Sequence, residues 1–393
     1  MDRIVITGYG VKAPGVSNIN EMKDVLEQGI CTQEILHGRG SNGSNIVCGV
    51  VHEDLNLISG QNYKRYPRVA QLGIAAAEEA YQMANLRNDD FARVAVIMGT
   101  SGGGILDVEK FSNHGSNLRK VPIQYVPIGD PHTLSSGITK HLGINGQAYT
   151  ISTGCTASLD AILMGKLMLE AGHVDICIVG GSDALLSDWI TYGFLKTGAI
   201  AENVEIEETG VPFSVAHNGF VKSEGAAVVI LERKKDAEAR GTKIWGQVRG
   251  VASNNEALSM LQSDPTGTLM TAALKSAIGD TIPTYVNSQA LGLKQNDKIE
   301  YITHTNLFGS SIPITSIKGM TGHTFGSMGA IQVVSSIISM EYGFIPPTIK
   351  TSGDGFHDLP IVFETKYQNV ESVAITNHGV SGNNTCLLIT KEN

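Results

Sequence analysis

The sequence predicts an α/β fold of buried sheets covered by helices. Two observations carry that prediction: short β-branched runs ending in glycine alternate with helical stretches, and one half of the chain faintly echoes the other. Strands are expected over residues 3–8, 94–99, 174–181, 226–231, 370–376 and 385–389. Helices are expected over 69–84, 158–171 and 268–278. The helix from 158 is apolar nearly all round, with Leu159, Ile162, Leu163, Met164, Leu167, Met168 and Leu169. It is therefore expected between two layers rather than on a surface.

Composition bounds the function. The 393 residues are 42% hydrophobic and 17% charged, with 45 Gly and 12 Pro, which suits a large α/β core with many tight turns. The length exceeds one simple domain, and a division into 1–240 and 241–393 is expected. A net charge of −9 argues against unspecific binding to nucleic acid or anionic membrane. No apolar run approaches the roughly 18 residues of a membrane span. The first residues enter a strand directly, so no signal peptide is expected. Cysteines 31, 48, 155, 177 and 386 are odd in number and contain no C-x-x-C pair. That disfavours a disulfide framework or zinc site and points to a reducing cytoplasm. The eleven histidines lack H-x-x-x-H spacing, so no metal centre is expected.

Ser152-Thr-Gly-Cys155-Thr-Ala-Ser158 places a thiol among small residues where a strand over 147–153 turns into the apolar helix. A helix N-terminus favours negative charge and is expected to lower the thiol pKa. Small neighbours let an acyl group reach the sulfur and let backbone amides face an oxyanion. Read alone, the segment also fits a buried structural cysteine. The echo adds weight: Thr153-Gly-Cys-Thr156 matches Thr321-Gly-His-Thr324, and each opens an Ala/Gly-rich apolar helix. Segment 174–181 has a counterpart in 370–379, and 96–101 in 285–290. A duplicated α/β unit of this kind would bring Cys155 and His323 toward one cleft.

From Arg3-Ile-Val-Ile-Thr-Gly-Tyr-Gly to its last strand the chain resembles the β-ketoacyl-ACP synthases, nearest the synthase I/II group. The resemblance rests on Thr153-Gly-Cys-Thr-Ala-Ser158 as the nucleophile elbow and Asn218-Gly-Phe-Val221 opening a strand. It also rests on Ser316-Ile-Lys-Gly-Met-Thr-Gly-His323, carrying the family's lysine and second histidine. It implies a thiolase-like five-layer αβαβα sandwich of two duplicated halves, usually dimeric. Cys155, His323 and Lys318 then fall on catalytic positions. The family's first histidine is replaced: Thr284-Tyr-Val-Asn-Ser-Gln-Ala-Leu-Gly292, followed by Asn296-Asp-Lys-Ile-Glu300, puts Gln289 there without a gap. His304 is the less favoured substitute, read at a strand end. Asn377-His-Gly-Val-Ser-Gly-Asn-Asn384 is one residue shorter than the family's gating loop. It assigns the gate to Gly379, Val380 and Ser381, and the oxyanion hole to the amides of Cys155 and Val380.

The resemblance implies loading of an acyl group from acyl carrier protein onto Cys155, then condensation with malonyl-ACP. Acyl groups arrive on phosphopantetheine, and no separate cofactor is expected. Gln289 offers an amide donor but no base. Alternatives are transacylation alone, or a chain-length-factor-like partner of an active ketosynthase. The partners implied are acyl carrier protein and a homodimer or heterodimer mate. Asp297 and Glu300 look like a helix cap pair, Glu224 like a turn-ordering residue, and His378 is left with a packing role. Tyr63-Lys-Arg-Tyr-Pro-Arg68 and Arg119-Lys120 are candidate basic rims for an acidic carrier, by charge alone.

Overall fold

The computed structural model describes residues 2–87, 93–112, 117–215, 218–260 and 262–392. Its main strands are β1 (Ile4–Lys12), β2 (Val94–Gly99), β3 (Gln147–Ile151), β4 (Ile176–Asp183) and β5 (Gly225–Arg233), followed by β6 (Gly246–Asn255), β7 (Tyr285–Asn287), β8 (Ile314–Thr315), β9 (Ser372–His378) and β10 (Asn383–Thr390). They hydrogen-bond in the order β8-β7-β9-β10-β6-β1-β5-β4-β2-β3. Counted within each half of the chain, both sets run third, second, fourth, fifth, first. Pairing directions repeat as well. β1–β5–β4 and β6–β10–β9 are antiparallel, while β4–β2–β3 and β9–β7–β8 are parallel. The faint sequence echo is thus a repeated topology. Among the described residues, β1 and β6 join the two sets of strands by pairing Val5 with Gln247 and Ile6 with Gly246, and the Trp245 N–H donates to the Ile6 carbonyl at 2.8 Å.

The main helices are α1 (Arg68–Ala84), α2 (Ala157–Glu170), α3 (Thr268–Ile278), α4 (Lys294–Phe308) and α5 (Met328–Tyr342). Strand alternation assigns the layers. Val94, Val96 and Met98 face the cluster that contains α1, whereas Ala95 and Ile97 face a central cluster shared with α2 and α5. In the second half Ala374 faces α3, and Val373 and Ile375 face the centre. The result is the thiolase-like five-layer α/β sandwich. Each Val, Ile or Leu buried in these layers contributes roughly 1.5–3 kcal/mol of transfer free energy.

The two central helices differ. Every residue of α5 from Met328 to Met340 is buried. On α2, Leu159, Ala161, Ile162 and Leu169 are buried, but Met164 and Leu167 are 43% and 51% exposed. The expectation that α2 lies wholly between layers therefore holds for one flank only. Its open flank runs beside β3, the edge strand of the series, where Tyr149 is 47% exposed. Uniform hydrophobicity in sequence could not distinguish burial within the chain from an apolar face left at its surface. Among the described residues, no helix is long and apolar enough to cross a membrane.

Candidate active site

Cys155 sits in the short 3₁₀ turn Gly154–Thr156, between β3 and α2. Gly154 turns the chain at φ +68°, a conformation in which a side chain would be strained. The elbow is pinned by a carboxylate one turn into the helix. Asp160 accepts from the Thr153 hydroxyl at 2.5 Å, from Thr156 at 2.8 Å and from Thr385 on β10 at 2.7 Å. The second half of the chain therefore holds the nucleophile of the first.

His323 arrives from the other half. Its N–H donates to the Val221 carbonyl at 2.7 Å and its carbonyl accepts from Ser223 at 2.9 Å, so residues 221–223 clamp its backbone like a strand neighbour. The imidazole Nε2 lies 3.2 Å from Cys155 Sγ. Phe220 and Phe325 pack around the imidazole, with ring centroids 5.7 and 5.3 Å away. Phe325 adopts φ +53°, and its neighbour Gly326 donates its N–H to Asp183 at 2.7 Å.

Lys318, Gln289 and the 379–381 loop complete the set expected from sequence. Lys318 is buried and donates its ammonium to the Ser288 carbonyl at 2.8 Å. Gln289 is fully buried, and its Nε2 donates to the His378 carbonyl at 3.3 Å. That bond fixes which end of the amide is the donor. Gly379 abuts the nucleophile: a Cβ placed there would meet the Cys155 amide nitrogen at 3.1 Å and Sγ at 3.5 Å. Val380 is 52% exposed at the tip of this loop. Ser381 follows at φ +77°.

Electrostatics correct one expectation. The thiol pKa is not lowered. Burial first, then the charge of Asp183, pushes Cys155 up to about 12, against the pull of Lys318 and of its own amide N–H. Desolvation outweighs the short helix start. Burial, with Lys318 and His378 adding, holds His323 well below its ordinary value, so the imidazole is neutral. Burial brings Lys318 down to about 7, opposed by Glu300, Asp297 and Cys155. The resting pair is thus a neutral thiol beside a neutral base.

Other readings change with the structure. The N-cap of α4 is Leu293, so Asp297 and Glu300 do not cap it. Asp297 lies a turn inside, accepting the amides of Leu291 at 2.9 Å and Phe213 at 2.8 Å, and Glu300 lies deeper still and is buried. A D-x-x-E spacing looks the same whether it caps a helix or faces a core. His304 is on α4 against Phe308, not at a strand end. Arg68 pairs with Glu224 at 3.1 Å, and Glu224 also accepts the Val51 amide at 3.0 Å. This engages Arg68 internally, whereas Lys64, Arg65, Arg119 and Lys120 are exposed.

Sequence reasoning missed Asp183. At the end of β4 it accepts from the Thr100 hydroxyl and the Ser101, Gly102 and Gly326 amides, joining loops from both halves beneath Cys155. Burial raises it to about 6, against those four bonds. A carboxylate two residues past the glycine-ended run 174–181 was the available signal. Among the described residues, no group of three or more His, Cys, Asp or Glu side chains is arranged to hold a metal.

Comparison with known proteins identifies the family. The family described as "Beta-ketoacyl synthase, N-terminal domain" matches residues 1–237, and "Beta-ketoacyl synthase, C-terminal domain" matches 245–352. The chain belongs to the β-ketoacyl synthase family. One β-ketoacyl synthase relative is the tetracenomycin polyketide synthase ketoacyl synthase alpha subunit of Streptomyces glaucescens, 29% identical over 97% of this chain and 95% of its own. Another is 3-oxoacyl-[acyl-carrier-protein] synthase 2 of Vibrio cholerae, 26% identical over 99% of both. Among solved structures, a type II PKS acyl-carrier protein in complex with its ketosynthase bound to the hexaketide superposes with a TM-score of 0.91. That match has 28% identity and covers 100% of both chains. The ishigamide ketosynthase/chain length factor, at 24% identity and a TM-score of 0.90, shares the β-ketoacyl synthase fold.

Proposed function

We propose that this chain is a 3-oxoacyl-ACP synthase-like acyltransferase of fatty-acid or polyketide assembly, loading an acyl group from acyl carrier protein onto Cys155. The observation that carries the reading is the 3.2 Å approach of His323 Nε2 to Cys155 Sγ, with the two residues drawn from opposite halves of the chain. In the first step Sγ attacks the thioester carbonyl and its proton passes to His323. The amides of Cys155 and Val380 hold the oxyanion. The phosphopantetheine thiol then leaves with that proton. In the second step malonyl-ACP loses carbon dioxide, and the enolate charge forms opposite the His323 imidazole and the Gln289 amide. The carbanion attacks the acyl carbonyl, the bond to Sγ breaks to release the 3-oxoacyl-ACP, and the departing thiolate takes up a proton from solvent. Lys318 supports both steps while it holds its proton, at and below about pH 7.

A second reading has its own support. With a buried amide in place of a second imidazole, the site offers one base fewer to the decarboxylation step, as in a non-condensing partner subunit or a transacylase. Intact-mass measurement after incubation with acyl-ACP decides first, with Cys155→Ala as control. An adduct on the parent alone supports acyl loading, and its absence leaves the partner-subunit reading ahead. Carbon dioxide release on adding malonyl-ACP then separates condensation from transfer.

The repeated strand order supports dividing the chain into halves at 1–240 and 241–393. The unpaired edge of β3 and the open apolar flank of α2 support a dimer, with a second copy or another ketosynthase covering that face. A cytoplasmic setting fits the five free thiols.

A further inference from the structure

Glu300 is a buried carboxylate that collects donors from two other elements. Its Oε2 accepts from the hydroxyls of Ser288 and Thr376, both at 2.7 Å, and its Oε1 lies 3.2 Å from His378 Nε2. Glu300 is 1% exposed and His378 is 2% exposed. The same two hydroxyls hold the backbone around Gln289. Thr376 Oγ1 accepts the Gln289 N–H at 3.1 Å, and Ser288 Oγ accepts the Ala290 N–H at 3.0 Å. The circuit closes where Gln289 Nε2 donates to the His378 carbonyl at 3.3 Å. His378 also immediately precedes Gly379, the residue packed on Cys155.

We infer that Glu300 and His378 act as one positioning unit, setting where the Gln289 amide and the 379–380 amides stand relative to the Cys155 sulfur. Three facts support this. Glu300 and His378 are both buried with Oε1 and Nε2 3.2 Å apart, so each side chain confines where the other can sit. Here it joins α4 to the end of β9 at the point where the chain leaves the sheet to cover the nucleophile. Both hydroxyls that donate to Glu300 also anchor Gln289 or a direct neighbour of it. The unit touches neither sulfur nor substrate. It acts by holding the groups that do. The inference deepens the acyl-transfer reading and rests on it for its kinetic test.

The test compares His378→Asn, Glu300→Gln and the double variant in the full chain. For carbon dioxide release from malonyl-ACP, each single variant is expected to lose roughly 30-fold in kcat, with KM within about threefold. The double variant is expected to be no slower than the slower single variant, because one unit is lost once. Unchanged kcat in either single variant, a change confined to KM, or losses that multiply in the double overturn the inference. Alkylation of Cys155 by iodoacetamide in the same proteins needs no substrate. Both single variants should change its rate by about fivefold or more, and an unchanged rate overturns the inference. A parent that alkylates at Cys155 but takes no acyl group sinks the functional reading alone, and the alkylation comparison still decides the positioning unit.

Discussion

Lys318 donates to the carbonyl of Ser288 at 2.8 Å, one residue before Gln289. A buried ammonium thereby ties the segment carrying His323 to the strand end carrying the amide. Burial holds this ammonium at about 7, from an ordinary 10.5. Between those values the unfolded chain holds a proton that the folded chain has released, so stability rises with pH across that window. Lys318→Met should remove the rise. Unfolding free energies of parent and variant from urea titrations between pH 7 and 10 are expected to diverge in the parent's favour as pH increases, by roughly 1–3 kcal/mol. Parallel free energies would contradict the assignment.

The raised thiol makes its own prediction. Below a pKa of about 12 the thiolate fraction grows nearly tenfold per pH unit, so alkylation of Cys155 should accelerate steadily from pH 7 to 10. A plateau near neutrality would mean that a preformed thiolate exists. His323→Ala removes the neighbouring base and should slow acyl loading by roughly 10²–10⁴.

Gly379→Ala places a methyl 3.1 Å from the Cys155 amide and 3.5 Å from its sulfur. Acyl loading should fall about tenfold or more, since small misplacements at a reacting centre are expensive. The thermal midpoint should move by only a few degrees. Intact-mass time courses beside a thermal melt read both, and full-rate loading would remove Gly379 from the site.

Gln289→Ala deletes a donor proposed to face the enolate. Carbon dioxide release from malonyl-ACP is expected to drop roughly 10²–10³-fold. Loss of acylation without any effect on decarboxylation would reverse the roles given to the two steps.

Leu167→Lys with Met164→Lys places charge on the exposed flank of α2. Size-exclusion chromatography with light scattering is expected to show the parent as a dimer and the variant as a monomer. A variant eluting with the parent's mass would move the interface elsewhere.

Much of the fold was legible in sequence because buried parallel strands are continuous apolar runs. The segment expected over 94–99 is Val94–Gly99, and the helix expected over 268–278 is Thr268–Ile278. The echo was legible because the Thr-Gly-x-Thr turns leave little sequence freedom. Spatial partnership was not legible. Nothing in the string shows that Glu300 faces His378 across two elements, or that Arg68 is held by Glu224 more than 150 residues away. The thiol's protonation was misread because a local helix-start argument cannot count the atoms that exclude water around the sulfur.

The narrow seam between the sheets has a consequence for heat. With two backbone pairs joining β1 to β6, the distance from sulfur to imidazole is set by how α2 and α5 dock together with a few local bonds between the halves, the 221–223 clamp on His323 and Thr385 on Asp160. On warming, the enzyme should lose its chemistry while circular dichroism still reports native helix and strand. Its working ceiling is then governed by the seating of Leu159 against Gly329 and the local bonds around it, not by the melting of either sheet.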